Sequence, residues 1–254
     1  MASAFLLVQL SDPHIGAGWA DADPVARLAA AVETVRRVGD QPDAVLVSGD
    51  LTDDAAESGY LRVRELLEPL GAPVYVLPGN HDDRDGLRRC FGLPGEDGSP
   101  VQYAVDLGPL RLVVLDTIRP GEDSGQLDRE RLSWLDAELA AAPEQITVLA
   151  MHHPPLSTGN PGWDRVGLPA EDRRALGEVV ERHPQVQRIV AGHMHRTIAA
   201  ELAGRVVLAA PSTFVQAQIS FGTGEIGFTV GPAAYAVHAL RDGVVGSHIQ
   251  PVGP

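Results

Sequence analysis

The alternation of short apolar runs with segments of helical period is the feature that most constrains the fold of this 254-residue chain. Runs rich in β-branched and aliphatic residues predict strands at residues 5–10, 44–47, 74–77, 111–115, 146–151, 188–191, 205–209 and 235–240. Helical patterns lie between several of these runs, at 23–38, about 55–70, 128–142 and 170–183. Alternating strands and helices predict an α/β fold in which helices cover a sheet.

The organisation changes near residue 205, where helical patterns stop and strand-like runs follow one another. This change predicts antiparallel strands that complete a sheet. Because the sequence shows no internal repeat and no linker rich in Pro, Gly and Ser, residues 1–254 are predicted to form one domain. The glycine-rich segment 222–232 is predicted to be a loop near a functional site or part of a subunit interface.

Charge and cysteine content exclude several classes of protein. The net charge is −14, all 20 basic residues are arginines, and no basic run exceeds two residues. Long nucleic acid is therefore not an expected partner. The single cysteine, Cys90, excludes an intramolecular disulfide framework and a thiolate metal cluster. Because the apolar run 5–8 is too short for a membrane span, we expect a cytoplasmic protein without a membrane partner.

Ligand-type residues follow five of the predicted strands. "SDPH" follows the first strand, "SGD" the second and "PGNHDD" the third, while "HHPP" and "GHMH" follow the runs at 146–151 and 188–191. In open α/β sheets, sites form beyond the carboxyl ends of the strands, so we expect these loops to converge. Six of the nine histidines lie in them: His14, His81, His152, His153, His193 and His195.

Two of these motifs carry ligand-type residues at positions i and i+2, namely Asp12 with His14 and His193 with His195. In an extended segment this spacing places both side chains on the same side of the chain. Each motif is thus predicted to present two ligands to one site. The glycines just before the ligands are expected to permit sharp turns: Gly49, Gly79 and Gly192.

The donor types restrict the metal. Carboxylate, imidazole and one amide oxygen, without thiolate, suit Mn²⁺, Fe, Co²⁺ or Zn²⁺. The ligands are too numerous for one catalytic zinc, which takes three protein ligands. Two ions about 3.5 to 4 Å apart, sharing one carboxylate, accommodate the set better.

The ordered set D-x-H, GD, GNHD, HHPP and GHxH resembles the calcineurin-like metallophosphoesterase superfamily. It is most similar to the bacterial class III cyclic-nucleotide phosphodiesterases and the related glycerophosphodiesterases, over residues 5 to about 215. The resemblance implies a four-layer α/β/β/α sandwich of mixed sheets with helices on the outer faces. It also suggests a homodimer.

The resemblance implies a role for each motif residue. One group of ligands would serve each ion, with one bridge between them: Asp12, His14 and His195 for the first, Asn80, His152 and His193 for the second, and Asp50 as the bridge. His81 would be catalytic, by hydrogen bonding a phosphoryl oxygen or by protonating the leaving alkoxide.

The implied activity is that of a dinuclear metal-dependent phosphodiesterase. It would hydrolyse a small phosphodiester, such as 3',5'-cAMP or a glycerophosphodiester, by in-line attack of a metal-bound hydroxide. The alternatives are a phosphomonoesterase acting on a small metabolite and a non-catalytic protein-binding scaffold. "GDLTDDA" and "GNHDD" differ from the GDxVDRG and GNHE of Ser/Thr protein phosphatases, which disfavours that branch.

Other residues near the motifs leave alternatives open. His153 could support a ligand or contact the substrate, and Trp163 is a weaker candidate for the wall of a pocket. Four aspartates are predicted to be helix caps or solvated charges, unless one orients His81: Asp53, Asp54, Asp82 and Asp83. Three histidines outside the motifs are predicted to be surface or structural residues: His183, His238 and His248.

Overall fold

The computed structural model describes residues 4–38, 41–218, 220–222 and 224–253. Within them, the strands are β1 Phe5–Leu10, β2 Ala44–Ser48, β3 Val74–Leu77, β4 Tyr103–Asp106, β5 Arg111–Val114, β6 Thr147–Ala150, β7 Val186–Ala191, β8 Ile198–Leu202, β9 Arg205–Ala209, β10 Gln216–Ala217, β11 Phe228–Thr229, β12 Ala234–Arg241 and β13 Val244–Pro251. The helices are α1 Pro24–Arg37, α2 Glu57–Leu67 with a 3₁₀ turn at Glu68–Leu70, α3 Arg84–Phe91, α4 Arg129–Ala140, α5 Pro161–Val166 and α6 Ala170–Glu181.

Two large mixed sheets form the centre of the molecule. The first has the order β13-β12-β1-β2-β3, with β1, β2 and β3 parallel and β12 antiparallel to both neighbours. The second has the order β4-β5-β6-β7-β9-β8, with its four inner strands parallel and its two edge strands antiparallel. Strands β10 and β11 form a small separate pair.

The two sheets pack face to face. Leu7 and Leu46 of the first sheet lie in one apolar core with Val114 and Val148 of the second. Because successive strand residues point to opposite faces, the alternate residues meet helices: α1, α2 and α3 cover the first sheet, and α4 and α6 cover the second. This arrangement confirms the predicted four-layer α/β/β/α sandwich. The prediction of a single domain over 1–254 stays a prediction.

Capping residues explain where the helices begin. Asp23, Asp83 and Asp128 each accept a main-chain N–H from the first turn of α1, α3 and α4, respectively. A side-chain cap of this kind contributes about 1 kcal/mol. The helix predicted at 23–38 thus begins at its Asp23 cap, and of the two alternatives predicted for Asp83, helix cap or solvated charge, the cap is confirmed.

Several elements lack a sequence prediction: α3, α5, β4, β8, β13 and the short strands β10 and β11. Strand β8 reads "IAAEL" and lies at a sheet edge, and β13 contains Gly246, so neither has a strong strand signal. Main-chain hydrogen bonds to β9 and β12 therefore stabilise β8 and β13, respectively, where local propensity is weak. Helix α5 spans only six residues and begins at the Asn160 cap.

The topology positions the site because β1, β2 and β3 end at the same edge of the molecule as β6 and β7 of the other sheet. Across the two sheets, Gln9 donates to the main-chain oxygen of Ala191. Arg84 forms a bidentate pair with the buried carboxylate of Asp116, at 2.8 and 3.1 Å.

Among the described residues, every helix is too short or too polar to cross a bilayer.

Candidate metal centre

A first group of buried donors lies beyond β1, β2 and β7. It consists of Asp12, His14, Asp50 and His195, whose ligand atoms all lie within 4.8 Å of one another. The Nε2 atoms of His14 and His195 are 3.0 Å apart, and Oδ2 of Asp50 is 3.4 Å from Nε2 of His14. The three residues predicted for the first ion are thus together, with the predicted bridge beside them.

Hydrogen bonds behind the rings fix which nitrogen faces this group. Nδ1 of His14 donates to the Asp53 carboxylate at 2.9 Å, and Nδ1 of His195 donates to the Val215 carbonyl at 3.0 Å. Neutral rings therefore present two Nε2 lone pairs to each other, which repel unless a proton or a cation lies between them. Two ligands bonded to one ion at about 2.1 Å and at right angles lie about 3 Å apart. The donor group fits a metal ion.

A second group forms beyond β3, β6 and β7. Oδ1 of Asn80 lies 3.1 Å from Nε2 of His152 and 3.1 Å from Nδ1 of His193. Nε2 of His152 is also 3.4 Å from Oδ2 of Asp50. That one Asp50 oxygen is therefore at the same distance from a histidine nitrogen of each group.

The second group is as electron-rich as the first. Nδ1 of His152 donates to the Ser48 carbonyl at 2.9 Å, so a neutral ring presents its Nε2 lone pair to the Asn80 oxygen. Nε2 of His193 is buried, and no hydrogen-bond partner for it lies within the described part of the chain. A cation would satisfy both the facing lone pairs and the buried nitrogen that lacks a partner, so the second group also fits a metal ion.

The backbone at the ligands corrects one sequence argument. Asp12, His14, Asp50, His193 and His195 have φ angles of 50°, 46°, 48°, 66° and 45°. These are left-handed values, so the prediction that the i, i+2 pairs lie in extended segments is wrong. The ligands converge because each motif curls, at about 1 to 2 kcal/mol for each left-handed residue. Strain of this kind clusters at functional sites.

The glycines of the motifs serve two different purposes. Gly49 has a φ of 95°, which confirms the sharp turn predicted before Asp50. Gly79 and Gly192 have no positive φ, and they are needed for close approach instead. A Cβ on Gly79 would lie within 3.0 Å of the Asp50 side chain, and one on Gly192 within 3.0 Å of Ser11.

Electrostatics favour the ligating form of Asp50, His193 and His195. Burial acts to raise the pKa of Asp50, but the imidazoles of His152 and His14 outweigh it and hold the pKa well below its usual range. Burial lowers the pKa values of His193 and His195 far below 6.5, which keeps both rings neutral. Burial, together with the charge of Asp50, raises the pKa of Asp12 to about 6.

The rings of His152 and His14 hold a proton more readily than an ordinary histidine. Burial acts to lower the pKa of His152, but the Asp50 carboxylate outweighs it and raises the pKa to about 9. Burial acts in the same direction on His14, but the hydrogen bond to Asp53, together with the nearby carboxylates, outweighs it and raises the pKa. A metal ion must therefore displace a proton at these two rings.

His81 lies beside the donor groups and belongs to neither of the two. Its Nδ1 donates to the main-chain oxygen of Asp53 at 3.0 Å, and its main-chain N–H donates to Oδ1 of Asp50 at 3.0 Å. The side chain is partly exposed and lines the cavity above the donors. The ring is therefore anchored through Nδ1, which leaves Nε2 for other partners.

Comparison with known proteins agrees with this geometry. The family model for calcineurin-like phosphoesterases matches residues 5–197. The chain belongs to this family. It is 32% identical to the 3',5'-cyclic adenosine monophosphate phosphodiesterase CpdA of Pseudomonas aeruginosa, over 94% of this chain and 86% of the relative. It is also 32% identical to the glycerophosphodiester phosphodiesterase GpdQ of Enterobacter lignolyticus, over 83% of this chain and 78% of the relative.

The fold is also found among solved structures. A dimetal phosphatase from Danio rerio superposes with a TM-score of 0.69 at 17% identity, covering 99% of this chain and 100% of that chain. The calcineurin-like family assignment and the named relatives identify this chain as an enzyme, a metal-dependent hydrolase that acts on phosphoesters. Family members use divalent metals, and the donor groups described above give this phosphoesterase a plausible place to bind them.

His153 of the phosphoesterase is close to the second group but differs from its neighbour His152. Its Nε2 donates to the Asp123 carbonyl at 3.0 Å, and its Nδ1 accepts from the Thr117 hydroxyl at 2.9 Å. Burial, with the nearby His152, lowers its pKa to about 3. Because both ring nitrogens already have hydrogen-bond partners, His153 is better suited to hold the neighbouring groups in place than to bind a metal ion.

Two carboxylates have roles that the sequence did not reveal. Asp82 was predicted to be a cap or a solvated charge, and this is wrong: it is buried and accepts the N–H groups of Leu51, Thr52 and Gly79. It thus joins the loops that carry Asp50 and Asn80. The carboxylate of Asp53 orients His14, which was not predicted, while its main-chain oxygen anchors His81, in line with the alternative that one of these aspartates orients His81. Their positions within three residues of a ligand are the only sequence signal.

A cavity of about 240 Å³ lies over the donor groups. One side of it is formed by three aromatic residues, which we call the aromatic wall: Trp19, Trp163 and Phe228. Ring centroids of the wall are 5.1 Å apart for Trp19 and Phe228 and 5.8 Å apart for Trp163 and Phe228. Trp163 was a sequence candidate and is confirmed as a lining residue. Phe228 places the predicted loop 222–232 at the site; residue 223 of it lies outside the described residues.

Proposed function

We propose that this phosphoesterase is a dinuclear metal-dependent phosphodiesterase that acts on small phosphodiesters, either a 3',5'-cyclic nucleotide or a glycerophosphodiester. The observation that carries the proposal is the position of Asp50, whose Oδ2 lies 3.4 Å from a histidine nitrogen of each donor group. A carboxylate shared in this way is what a two-metal site requires. The oxygen and imidazole donors suit Mn²⁺, Fe, Zn²⁺ or Co²⁺.

In this proposal seven residues would hold two ions: Asp12, His14 and His195 for the first, Asn80, His152 and His193 for the second, and Asp50 for both. When bound, the ions supply positive charge for the phosphoryl oxygens and lower the pKa of the water that attacks phosphorus.

His81 would complete the site from the side of the cavity. Because Nδ1 already donates to Asp53, the atom available to the substrate is Nε2. This nitrogen would donate to a phosphoryl oxygen or to the leaving alkoxide, and general acid catalysis of this kind contributes about 10²- to 10⁴-fold. The main-chain bond from His81 to Asp50 keeps this donor in register with the bridging carboxylate.

The aromatic wall favours a cyclic nucleotide among the small phosphodiesters. Bases stack on aromatic side chains for about 1 to 3 kcal/mol each, whereas glycerol offers no planar face. Trp19 donates its indole N–H to Asp53, so its ring is held beside the ligand-bearing loop. The two relatives carry names for the two substrate classes, cyclic AMP for CpdA and glycerophosphodiesters for GpdQ.

The direct test compares a diester with a monoester. We would measure kcat/KM of metal-stripped, Mn²⁺-reconstituted protein on bis(p-nitrophenyl) phosphate and p-nitrophenyl phosphate, with Asp50→Asn and, as a matched control, the exposed Asp97→Asn. We expect a preference for the diester that is lost in the Asp50 variant alone. A preference for the monoester would replace the proposal with a phosphomonoesterase. Hydrolysis unaffected by Asp50→Asn would contradict the shared site.

A further inference from the structure

A row of hydrogen-bonded, buried polar side chains runs through the interior between the sheets and ends at Asp12. We call it the buried donor chain; it consists of His238, Gln9, Ser48 and Ser11. Successive members are joined by hydrogen bonds of 3.0, 2.8 and 2.7 Å, and Ser11 reaches Oδ2 of Asp12 at 2.6 Å. Every member has zero exposure, as does Asp12 itself. It begins on β12, which carries no ligand.

Donors and acceptors at Gln9 fix the direction of the chain. The two hydrogens of its amide nitrogen go to Ser48 Oγ and to the Ala191 carbonyl. Its oxygen must therefore accept, and the hydrogen comes from Nε2 of His238. Nδ1 of His238 then accepts from the hydroxyl of Ser247 at 2.8 Å.

The serines continue in the same direction. Ser48 accepts from Gln9, so its own hydrogen is available to Ser11, and the hydrogen of Ser11 goes to the Asp12 carboxylate. Each hydrogen bond between successive members is therefore donated toward Asp12, while the second amide hydrogen of Gln9 leaves the chain, to the Ala191 carbonyl. Bonds aligned in this way polarise one another, and the last bond is strengthened by the charge of the carboxylate.

We propose that the buried donor chain is a set of positioning residues that orients the Asp12 carboxylate and thereby raises the affinity of the centre for its metal ion. Ser11 holds Oδ2, while the N–H of His193 holds Oδ1 at 3.0 Å, so both oxygens are fixed. Outer partners of metal ligands typically contribute 10- to 100-fold in affinity. The inference rests on the proposed role of Asp12 as a ligand.

The test is isothermal titration of Mn²⁺ into metal-stripped protein, with thermal unfolding of each variant measured in parallel. We expect Ser11→Ala to weaken Mn²⁺ binding by about 10- to 100-fold, Ser48→Ala by less, and His238→Leu by least. Thr147→Val is the control, because Thr147 is a buried hydroxyl at the amino end of β6 that donates to Gln145. It should lower stability and leave Mn²⁺ affinity unchanged.

Two further variants separate positioning from a merely structural role. His238→Gln keeps an N–H donor near the place of Nε2 and should restore affinity relative to His238→Leu. In a Ser48→Ala background, where the chain is already interrupted, His238→Leu should cause no further loss of affinity. Ser48→Ala removes a single oxygen and keeps the test valid if His238→Leu does not fold.

The outcomes distinguish the inference from the proposed function. A wild-type protein that binds no Mn²⁺ would overturn the metal centre itself, and the role of the chain with it. A wild-type protein that binds Mn²⁺ with the same affinity as Ser11→Ala and Ser48→Ala would overturn the chain alone. Equal losses for His238→Leu with and without Ser48→Ala would also overturn it.

Discussion

The buried donor groups and the aromatic wall meet at one cavity but are constructed in opposite ways. Asp12 and His152 are completely buried, whereas Trp19 is 45% exposed and Phe228 is 37% exposed. The donors follow strands of both sheets and are held by interior hydrogen bonds: the Ser11 hydroxyl donates to Asp12, and Nδ1 of His152 donates to the Ser48 carbonyl. The wall combines Trp19 of a loop with Trp163 of α5 and Phe228 of β11, and it packs mostly ring against ring; Trp163 is its one buried member. In the proposed function, the interior would supply the chemistry and the aromatic wall would help to select the substrate.

The largest effect is expected within the buried region, between two adjacent histidines. His152→Asn should lower kcat/KM by about 10³-fold, or about 4 kcal/mol, because Nε2 of His152 belongs to the second donor group. His153→Asn should lower it by less than about tenfold in the folded enzyme, because both ring nitrogens of His153 bond to Thr117 and Asp123. Steady-state assays of both variants check this. Equal losses would make His153 part of the catalytic machinery.

The buried ion pair between Arg84 of α3 and Asp116 should be the next most sensitive feature. Arg84→Ala should lower the free energy of unfolding by about 3 to 5 kcal/mol, because it leaves the carboxylate of Asp116 buried without its partner. Arg89→Ala on the same helix is the control, since Arg89 pairs with Glu57 at the surface and should cost less than about 1 kcal/mol. Urea unfolding measures both. Similar losses in the two variants would contradict this contrast.

The neutral interior should also appear in the pH dependence of stability. Burial, aided by the charge of Arg188, lowers the pKa of His238 to about 3, against 6.5 for the ordinary side chain. As pH falls below about 6.5, the unfolded chain takes up a proton at this position and the folded chain does not, so stability is lost. The loss from this group between pH 7 and pH 5 is about 2 kcal/mol.

Replacing the group isolates its contribution. His238→Gln has no titrating side chain, so its free energy of unfolding should fall by about 2 kcal/mol less than that of the wild type over the same pH range. Denaturant unfolding at pH 7, 6 and 5 checks the difference. Parallel pH profiles for the two proteins would show that His238 does not titrate as described.

The smallest effect belongs to the wall. Trp19→Ala should raise KM for 3',5'-cAMP about tenfold with little change in kcat, which corresponds to about 1.4 kcal/mol of stacking. Bis-ester substrates without an aromatic group should be much less affected. Phe221→Ala is the control, because Phe221 is also an exposed aromatic residue but lies outside this cavity. A loss in kcat alone would contradict a binding role for Trp19.

The sequence predicted the interior better than the wall, for physical reasons. Strand ends and ligand residues are adjacent in the chain, so the five motifs and the parallel sheets were enough to bring the donors together. The left-handed backbone at His14 or His195 was missed, because Asp and His adopt such angles more often than most residues but still only in a small minority of cases. His183 and His238 were predicted to be structural or surface residues, and they bond to Asp136 and Gln9, respectively.

The wall was predicted only in part, through Trp163 and the loop 222–232, because its members are distant in the chain and share no motif. Trp19 comes from a loop, Trp163 from α5 and Phe228 from β11, and only tertiary packing makes them neighbours. The same holds for Asp82, whose three main-chain donors come from two loops. From the sequence alone, a carboxylate that follows a ligand cannot be distinguished from a solvated charge, because the sequence does not show its burial.

The number of metal ions bound per chain tests the central claim most directly. Metal-stripped protein would be titrated with Mn²⁺ by calorimetry, and the bound metal counted by elemental analysis after desalting. Two donor groups that share Asp50 predict two ions per chain, and fewer than two in Asp50→Asn. A single ion in the wild type, or two ions retained in Asp50→Asn, would contradict a dinuclear centre bridged by this residue.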